Sequence, residues 1–362
     1  MKKALTLFLL APLLMFPPLS GRAESSPQKD TLVILDNDFL GPGGSNMQSL
    51  LYLMGVPHVR ILGIDVVAGD DQEPVESAHV RALLARTGRT DIPVYDGAVT
   101  PLLNTPEAMQ ARELQYGTTG WHGAWGKFGT VSGTPKDLKT EPFPEGQPTI
   151  PAQAEPAAAF LVAAARKYPG QITLIAGGPL TNIAMAVRMD PQFTYNIRKF
   201  VFMGGQVNGN AISGRDPVPY SHDFNIRFDP EAAEIVLKAH WNEIVSVSPP
   251  ATKIQMGRNA LSCGRTGGLI DTYVTRYHQD FPMWDEITAA VALHPSLITS
   301  ASPLVLDVDT HSNMSYGYLR IQPDKEALPA AQRVEVVYGV HKEAFKSDYS
   351  RALCNLDHIV SH

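Results

Sequence analysis

Short apolar runs rich in β-branched residues alternate with longer helical stretches along most of this 362-residue chain, and that rhythm restricts its fold more than any other feature. Thr31 to Leu35, Val59 to Val67, Ile92 to Tyr95, Gln171 to Ala176, Lys199 to Met203 and Ile244 to Val247 read as buried strands. Between them, an apolar helical stretch through Leu50 to Leu53 ends near Gly55. Glu73 to Arg86 is helical with Gly88 as its stop, Ala154 to Lys167 is an Ala-rich helix, and Pro179 to Arg188 is another. Asp229-Pro230 opens a helix through Lys238, with Asp as N-cap and Pro at the first helical position. Ile287 to Leu293 is a further helix, for which Asp285 is an acceptable N-cap. Consecutive parallel strands need a crossover, usually a helix, so this alternation predicts the α/β class. The expected architecture is an open, mainly parallel, Rossmann-like sheet with helices on both faces. Two irregular stretches, about Trp121 to Pro151 and Gln206 to Ser221, break the rhythm, and long loops in such folds cover or form binding sites.

Composition narrows the function classes. Hydrophobic residues make up 44 % and charged residues 18 %, which fits a globular chain and excludes a disordered one. The net charge is −6 with no basic run, which argues against a nucleic-acid binder held by phosphate contacts. Met1-Lys2-Lys3, the apolar run Ala4 to Leu19 and Gly21-Arg22-Ala23 have the layout of a signal peptide cleaved after residue 23. The run is about four residues short of the ~20 that span a bilayer, and Pro12, Pro17 and Pro18 interrupt it. The expectation is an exported protein, periplasmic or secreted, with no membrane attachment after cleavage. Residues 24–362 show no internal repeat and no linker, so a single domain is expected. Cys263 and Cys354 are too few for a disulfide scaffold, and no C-x-x-C pair exists. In an oxidising compartment they form either a disulfide or two buried thiols.

The sharpest local feature is Asp36-Asn37-Asp38, directly after the first strand. Side chains at i and i+2 of a strand share a face, so both carboxylates are expected on one side of the sheet's carboxyl edge, where open α/β folds bind ligands. Two like charges so close need a cation or a shared proton, and a hard cation such as Ca²⁺ or Mg²⁺ suits oxygen donors. Alternatively one Asp caps the turn into Gly41-Pro42-Gly43-Gly44. Gly177-Gly178-Pro179-Leu180-Thr181-Asn182, Met203-Gly204-Gly205, Asp223-Phe224-Asn225 and Met283-Trp284-Asp285-Glu286 each fall at a strand end or helix start, where all can converge on one crevice.

Together these segments resemble the inosine-uridine preferring nucleoside hydrolase family. Asp36-Asn37-Asp38 resembles the start of its D-x-D-x-G-x-D-D signature. Ile61-Leu62-Gly63-Ile64 with Val67-Ala68-Gly69, Ile92-Pro93-Val94-Tyr95-Asp96-Gly97-Ala98 and Trp121-His122-Gly123 are similar to later family segments. So are Gly178-Pro179-Leu180-Thr181-Asn182-Ile183-Ala184, Met203-Gly204-Gly205 with Gly209-Asn210, and Asp223-Phe224-Asn225 with Asp229-Pro230-Glu231-Ala232-Ala233. The resemblance implies Ca²⁺-dependent hydrolysis of the N-glycosidic bond of ribonucleosides to base and ribose. By position it makes Asp38 the metal-bound carboxylate that activates the water. Asp36, Asn46, Asp285 and the Gly177 carbonyl join it as candidate metal positions. Asn210, Asp223 and Asn225 correspond to ribose contacts, and His122 falls near the sugar and base. Such an enzyme would salvage purine or pyrimidine ribonucleosides outside the inner membrane.

The chain departs from the pattern in two places. Its first loop is three residues longer than the family's, and Ser45 and Asn46 stand where an Asp pair is expected. Asn46 can still ligate through its amide oxygen, Ser45 can hydrogen-bond a substrate hydroxyl, and Asp70 or Asp71 can restore a charge. Trp284 stands where some members carry a His that protonates the leaving base; it can stack on a base instead, and because purines accept a proton from solvent more readily than pyrimidines, a purine preference is expected. His122, His222 and His278 are then the candidate acids. A ribonucleoside- or sugar-binding protein without turnover, and a hydrolase of another glycoside, are the competing readings. For assembly, a homodimer and a homotetramer both stay open.

Overall fold

A computed structural model describes residues 29–117, 121–126, 134–139, 141–205, 223–261, 263, 265–322 and 331–360. Six strands follow the predicted rhythm: β1 (Thr31–Asn37), β2 (Val59–Val66), β3 (Val94–Asp96), β4 (Ile172–Ala176), β5 (Ile197–Met203) and β6 (Ile244–Val247). The helices among them are α1 (Ser45–Gly55), α2 (Glu73–Arg86), α3 (Pro106–Tyr116), α4 (Ala157–Lys167), α5 (Thr181–Met189) and α6 (Phe193–Asn196). Then come α7 (Phe224–Phe228), α8 (Pro230–Lys238) and α9 (Trp284–Leu293). The chain closes with β7 (Ile298–Val308), β8 (Leu319–Gln322), β9 (Val334–Val340) and α10 (Lys342–Ile359).

The nine strands form one sheet in the order β3-β2-β1-β4-β5-β6-β9-β7-β8. All pairings from β3 to β9 are parallel, and only β7 runs antiparallel, against β9 and β8. Alternation along β1 divides the core. Val33 and Leu35 pack with Leu50, Leu83, Ile287 and Leu353 of α1, α2, α9 and α10. Ile34 packs with Leu161, Ile183 and Val236 of α4, α5 and α8 on the opposite face. Helices therefore cover both faces, as an apolar parallel sheet requires. The strand order reverses at β1, whose neighbours are β2 and β4, so the crevice beyond the carboxyl ends of β1 and β4 is the natural ligand position.

Two local expectations need correction. Met283, not Asp285, occupies the N-cap of α9, so Asp285 lies in the helix's first turn with its side chain unused as a cap. Asp36 and Asp38 also separate, because β1 ends at Asn37 and the chain turns there. Asp36 stays on the α5 side, where Asn182 Nδ2 donates to it at 2.9 Å. Its cross-strand partner there is Asp65. Asp38 instead turns towards Gly69-Asp70. The expected cap at Asp229 is present: it accepts the Ala232 N–H at 3.0 Å, and also the Thr181 hydroxyl at 2.7 Å and the Leu102 N–H at 2.9 Å. Cys263 and Cys354 form a disulfide, with Cα atoms 5.8 Å apart.

Candidate active site

The loops leaving β1, β2 and β4 meet the first turns of α1, α7 and α9 around a cavity of about 360 Å³. Its polar wall is Asp38, Ser45, Asp70, the Gly177 backbone, Asn225 and Asp285; its apolar wall includes Trp121, Met203, Phe224, Phe281 and Trp284. The Phe281 and Trp284 rings lie 5.9 Å apart. A cavity of this size with a few converging polar groups is the usual form of a small-molecule site.

The Asp38 carboxylate is held by the loop after β2, whose Asp70 N–H donates to its Oδ2 at 3.0 Å. A Cβ on Gly69 would occupy the space of that carboxylate, so the tight approach requires glycine. Asp70 itself accepts the Trp121 indole N–H at 2.7 Å and the Asn46 side-chain N–H at 3.2 Å. The Asn46 amide oxygen accepts the backbone N–H groups of Leu40 at 3.2 Å and Met47 at 3.0 Å, so Asn46 ties the long loop to α1. Ser45 opens α1, accepts the Asp285 N–H at 2.9 Å and donates to Glu286. Asn225 donates to the Gly177 carbonyl, joining α7 to the end of β4.

These carboxylates carry an unbalanced negative field. Burial raises Asp38 well above the usual carboxylate range, and the charges of Asp70 and Asp285 raise it further. Burial likewise raises Asp285, with Glu286 and Asp70 adding to it. Burial pushes Asp70 up to about 6 against the Trp121 hydrogen bond, and pushes Glu286 up to about 8 against the Ser45 hydrogen bond. Among the described residues no Lys or Arg lowers Asp38 or Asp285. Buried like charges without a basic partner call for a cation. Among the described residues no three His, Cys, Asp or Glu side chains converge to hold an ion by themselves. The oxygen atoms along the wall, the carboxylates of Asp38, Asp70 and Asp285 and the Gly177 carbonyl, suit a hard, oxygen-seeking ion better than a soft metal.

Residues 33–347 match the family described as inosine-uridine preferring nucleoside hydrolase. The chain belongs to that family. Its fold and its standing as a hydrolase of nucleosides agree with the sequence expectation. It is 28 % identical to probable uridine nucleosidase 2 of Arabidopsis thaliana, over 74 % of this chain and 79 % of that protein. It is 27 % identical to pyrimidine-specific ribonucleoside hydrolase RihA of Citrobacter koseri, over 79 % and 86 %. Among solved structures, a purine-preferring ribonucleoside hydrolase from Gardnerella vaginalis superposes with a TM-score of 0.69 at 19 % identity, covering 91 % of this chain and 99 % of that one. That likeness shows the shared fold.

Set against this nucleoside hydrolase fold, the site residues named from sequence divide into three groups. Asp38, Ser45, Asp70, Gly177, Asn225, Trp284 and Asp285 line one cavity. Asp36, Asn46, His122 and Asp223 lie outside its lining. Asp36 is fully buried behind it and pushed up to about 7 by burial against the Asn182 hydrogen bond. Asp223 caps α7, accepting the Ile226 N–H at 3.2 Å, and also accepts from Gly205 N–H. His122 is buried, with Nε2 2.8 Å from Glu113. Asn210 and His222 lie outside the described residues. His278 sits 3.1 Å from Asp280 and lines a smaller neighbouring cavity. Sequence reasoning did not assign the walls Trp121, Met203, Phe224 and Phe281, or Glu286 beneath Ser45. Their signal was proximity, since Trp121 precedes His122, Phe224 separates Asp223 from Asn225, and Glu286 follows Asp285.

Proposed function

We propose that this nucleoside hydrolase releases base and ribose from ribonucleosides with Ca²⁺ as its resident ion. The observation that carries this reading is the Asp38–Asp70–Asp285 cluster, with Asp38 and Asp285 buried and Asp70 half-buried, facing an aromatic wall across one cavity. Asp38, Asp285 and the Gly177 carbonyl would hold the ion, with Asp70 beside them. When bound, Ca²⁺ supplies the positive charge that balances this cluster, acidifies water and gathers sugar hydroxyls.

The chain's own groups account for the rest. The Asp70 N–H occupies Asp38 Oδ2, which leaves Oδ1 to take a proton from the attacking water. Oxocarbenium character develops on the sugar as the glycosidic bond lengthens, and the nearby carboxylates stabilise it. The Asn225 amide donates to Gly177, which leaves its oxygen to accept a sugar hydroxyl. Trp284 and Phe281, with Trp121 and Phe224, form the surface against which a planar base stacks. Trp284, which has no acid to offer, stands on the cavity wall where some family members carry a His, and in this reading the departing base takes its proton from solvent. That route favours purines, which accept such a proton more readily than pyrimidines do.

Export through a leader ending at residue 23 completes the reading, with the enzyme acting outside the inner membrane. The Cys263–Cys354 bond supports it, because such bonds persist in oxidising compartments.

The test uses protein starting at Glu24, divided with and without chelator. Inosine, adenosine, guanosine, uridine and cytidine are offered in turn, and free ribose is measured. Chelator-sensitive ribose release, restored by Ca²⁺ and lowered at least ~10³-fold by Asp38→Asn, is the expected result. Nucleoside-dependent heat stabilisation with no ribose release would replace this reading with a binding protein.

A further inference from the structure

The geometry points to Glu286 as a positioning residue that fixes the Ser45 hydroxyl as an acceptor for a ribose hydroxyl. This inference rests on the ribonucleoside reading and adds a residue to it. A serine hydroxyl has one donor and two acceptor positions. Ser45 Oγ accepts the Asp285 N–H at 2.9 Å and spends its only proton on Glu286 Oε2, the unprotonated oxygen of that carboxyl group. One acceptor position is left, on a residue that lines the main cavity. Glu286 does not line that cavity. It borders the smaller one behind Ser45, together with Gln48, Met283 and Tyr349, and is 4 % exposed. Among the described residues, its carboxylate therefore acts on a ligand in the main cavity through Ser45.

Removing Glu286 would free the Ser45 proton to turn towards Asp38 or Asp285, the other acceptors along the same wall. Ser45 would then meet a sugar hydroxyl with the wrong polarity. A mere bolt between α1 and α9 would behave differently, since its loss would lower the unfolding midpoint and leave kcat/KM and D-ribose-dependent stabilisation unchanged.

Four variants separate these cases: Ser45→Ala, Glu286→Ala, Glu286→Gln and the double Ser45→Ala/Glu286→Ala. kcat/KM for inosine and uridine is measured with Ca²⁺, alongside unfolding midpoints and calorimetric Ca²⁺ affinity. Ser45→Ala and Glu286→Ala are each expected to lower kcat/KM about 10- to 100-fold, the range for one misdirected polar contact. The double variant should be no worse than Ser45→Ala, and Glu286→Gln, whose amide oxygen still accepts, should recover most of the activity. Calorimetry should show the same Ca²⁺ affinity in all four. Additive losses in the double variant, or Glu286→Ala within twofold of wild type, would overturn the inference while leaving the proposed hydrolysis intact. Wild-type protein that releases no ribose would instead sink the proposed function. The same four proteins are then compared by D-ribose-dependent heat stabilisation, where non-additivity supports the role of Glu286 and additivity overturns it.

Discussion

Opening the Cys263–Cys354 disulfide should cost this protein several kcal/mol of stability and leave its chemistry alone. The bond closes a loop of 91 residues. Chain-entropy arithmetic for a loop of that length gives about 4.6 kcal/mol at 25 °C, an upper figure because native proteins often deliver 2–4. Other contacts hold the same parts together. Leu353 and Leu356 of α10 are buried in the core shared with α1, and Asp357 accepts the Ile270 N–H at 3.0 Å while its carbonyl accepts from Arg265 at 2.9 Å. The Cys263→Ser/Cys354→Ser variant should therefore fold with α10 in place. With an unfolding entropy of roughly 2.1 cal/mol/K per residue, the loss corresponds to a drop of about 3–7 °C in the unfolding midpoint. Calorimetry of wild type, of the double variant and of wild type with reductant would measure it. Ribose release at 25 °C should change less than twofold, since neither cysteine lines the cavity. Midpoints within 1 °C of one another, or two thiols titrated in denatured protein without reductant, would refute the reasoning.

Three further outcomes are expected. Glu73, 3 % exposed, is pushed up to about 8 by burial and the Asp96 charge. The folded state thus keeps a proton that the unfolded chain has lost above its ordinary value. This contribution is complete below that value and fades as pH rises through about 8, with a slope of up to ~1.4 kcal/mol per pH unit between the two. Denaturant titrations across pH 5 to 9 should show a flatter profile for Glu73→Gln, and an unchanged profile would discard the assignment. Gly69→Ala should lower ribose release at least ~100-fold through displacement of the Asp38 carboxylate; activity near wild type would show that the loop relaxes freely. Trp284→Ala should reduce kcat/KM for purine nucleosides about tenfold and for pyrimidines less, because the larger base loses more stacking area. Uridine cleaved faster than inosine by wild type would remove the purine preference that Trp284 motivates.

Much of the fold was legible because a parallel sheet writes itself locally. β2, α2, α8 and β6 lie within a residue of their predicted limits, since each is a β-branched run or an amphipathic stretch with its own stop signal. The far edge of the sheet was not legible. β9 joins β6 from nearly ninety residues away, and β7 carries Pro303 among half-buried residues, so neither shows a clean apolar period. α3 has a capping signal at Thr105-Pro106, but Met109 is its one buried residue, so no apolar period marks the helix.

Sequence alone determined the family, the strand–helix alternation that runs from β1 to β6, and the acidic residues at strand ends, because covalent spacing and side-chain period decide those features. Only tertiary structure decided which acids act together. Asp36 and Asp38 are two residues apart, yet the end of β1 at Asn37 sends them to different neighbours. Asp38, Asp70 and Asp285 are remote in the chain, yet the loops leaving β1 and β2 and the first turn of α9 bring them to one cavity. Ser45 stands where the family pattern has a carboxylate, and the packing of α1 against α9 sets Glu286 behind it. Charge interactions depend on distance through space and on burial, and a linear sequence specifies neither.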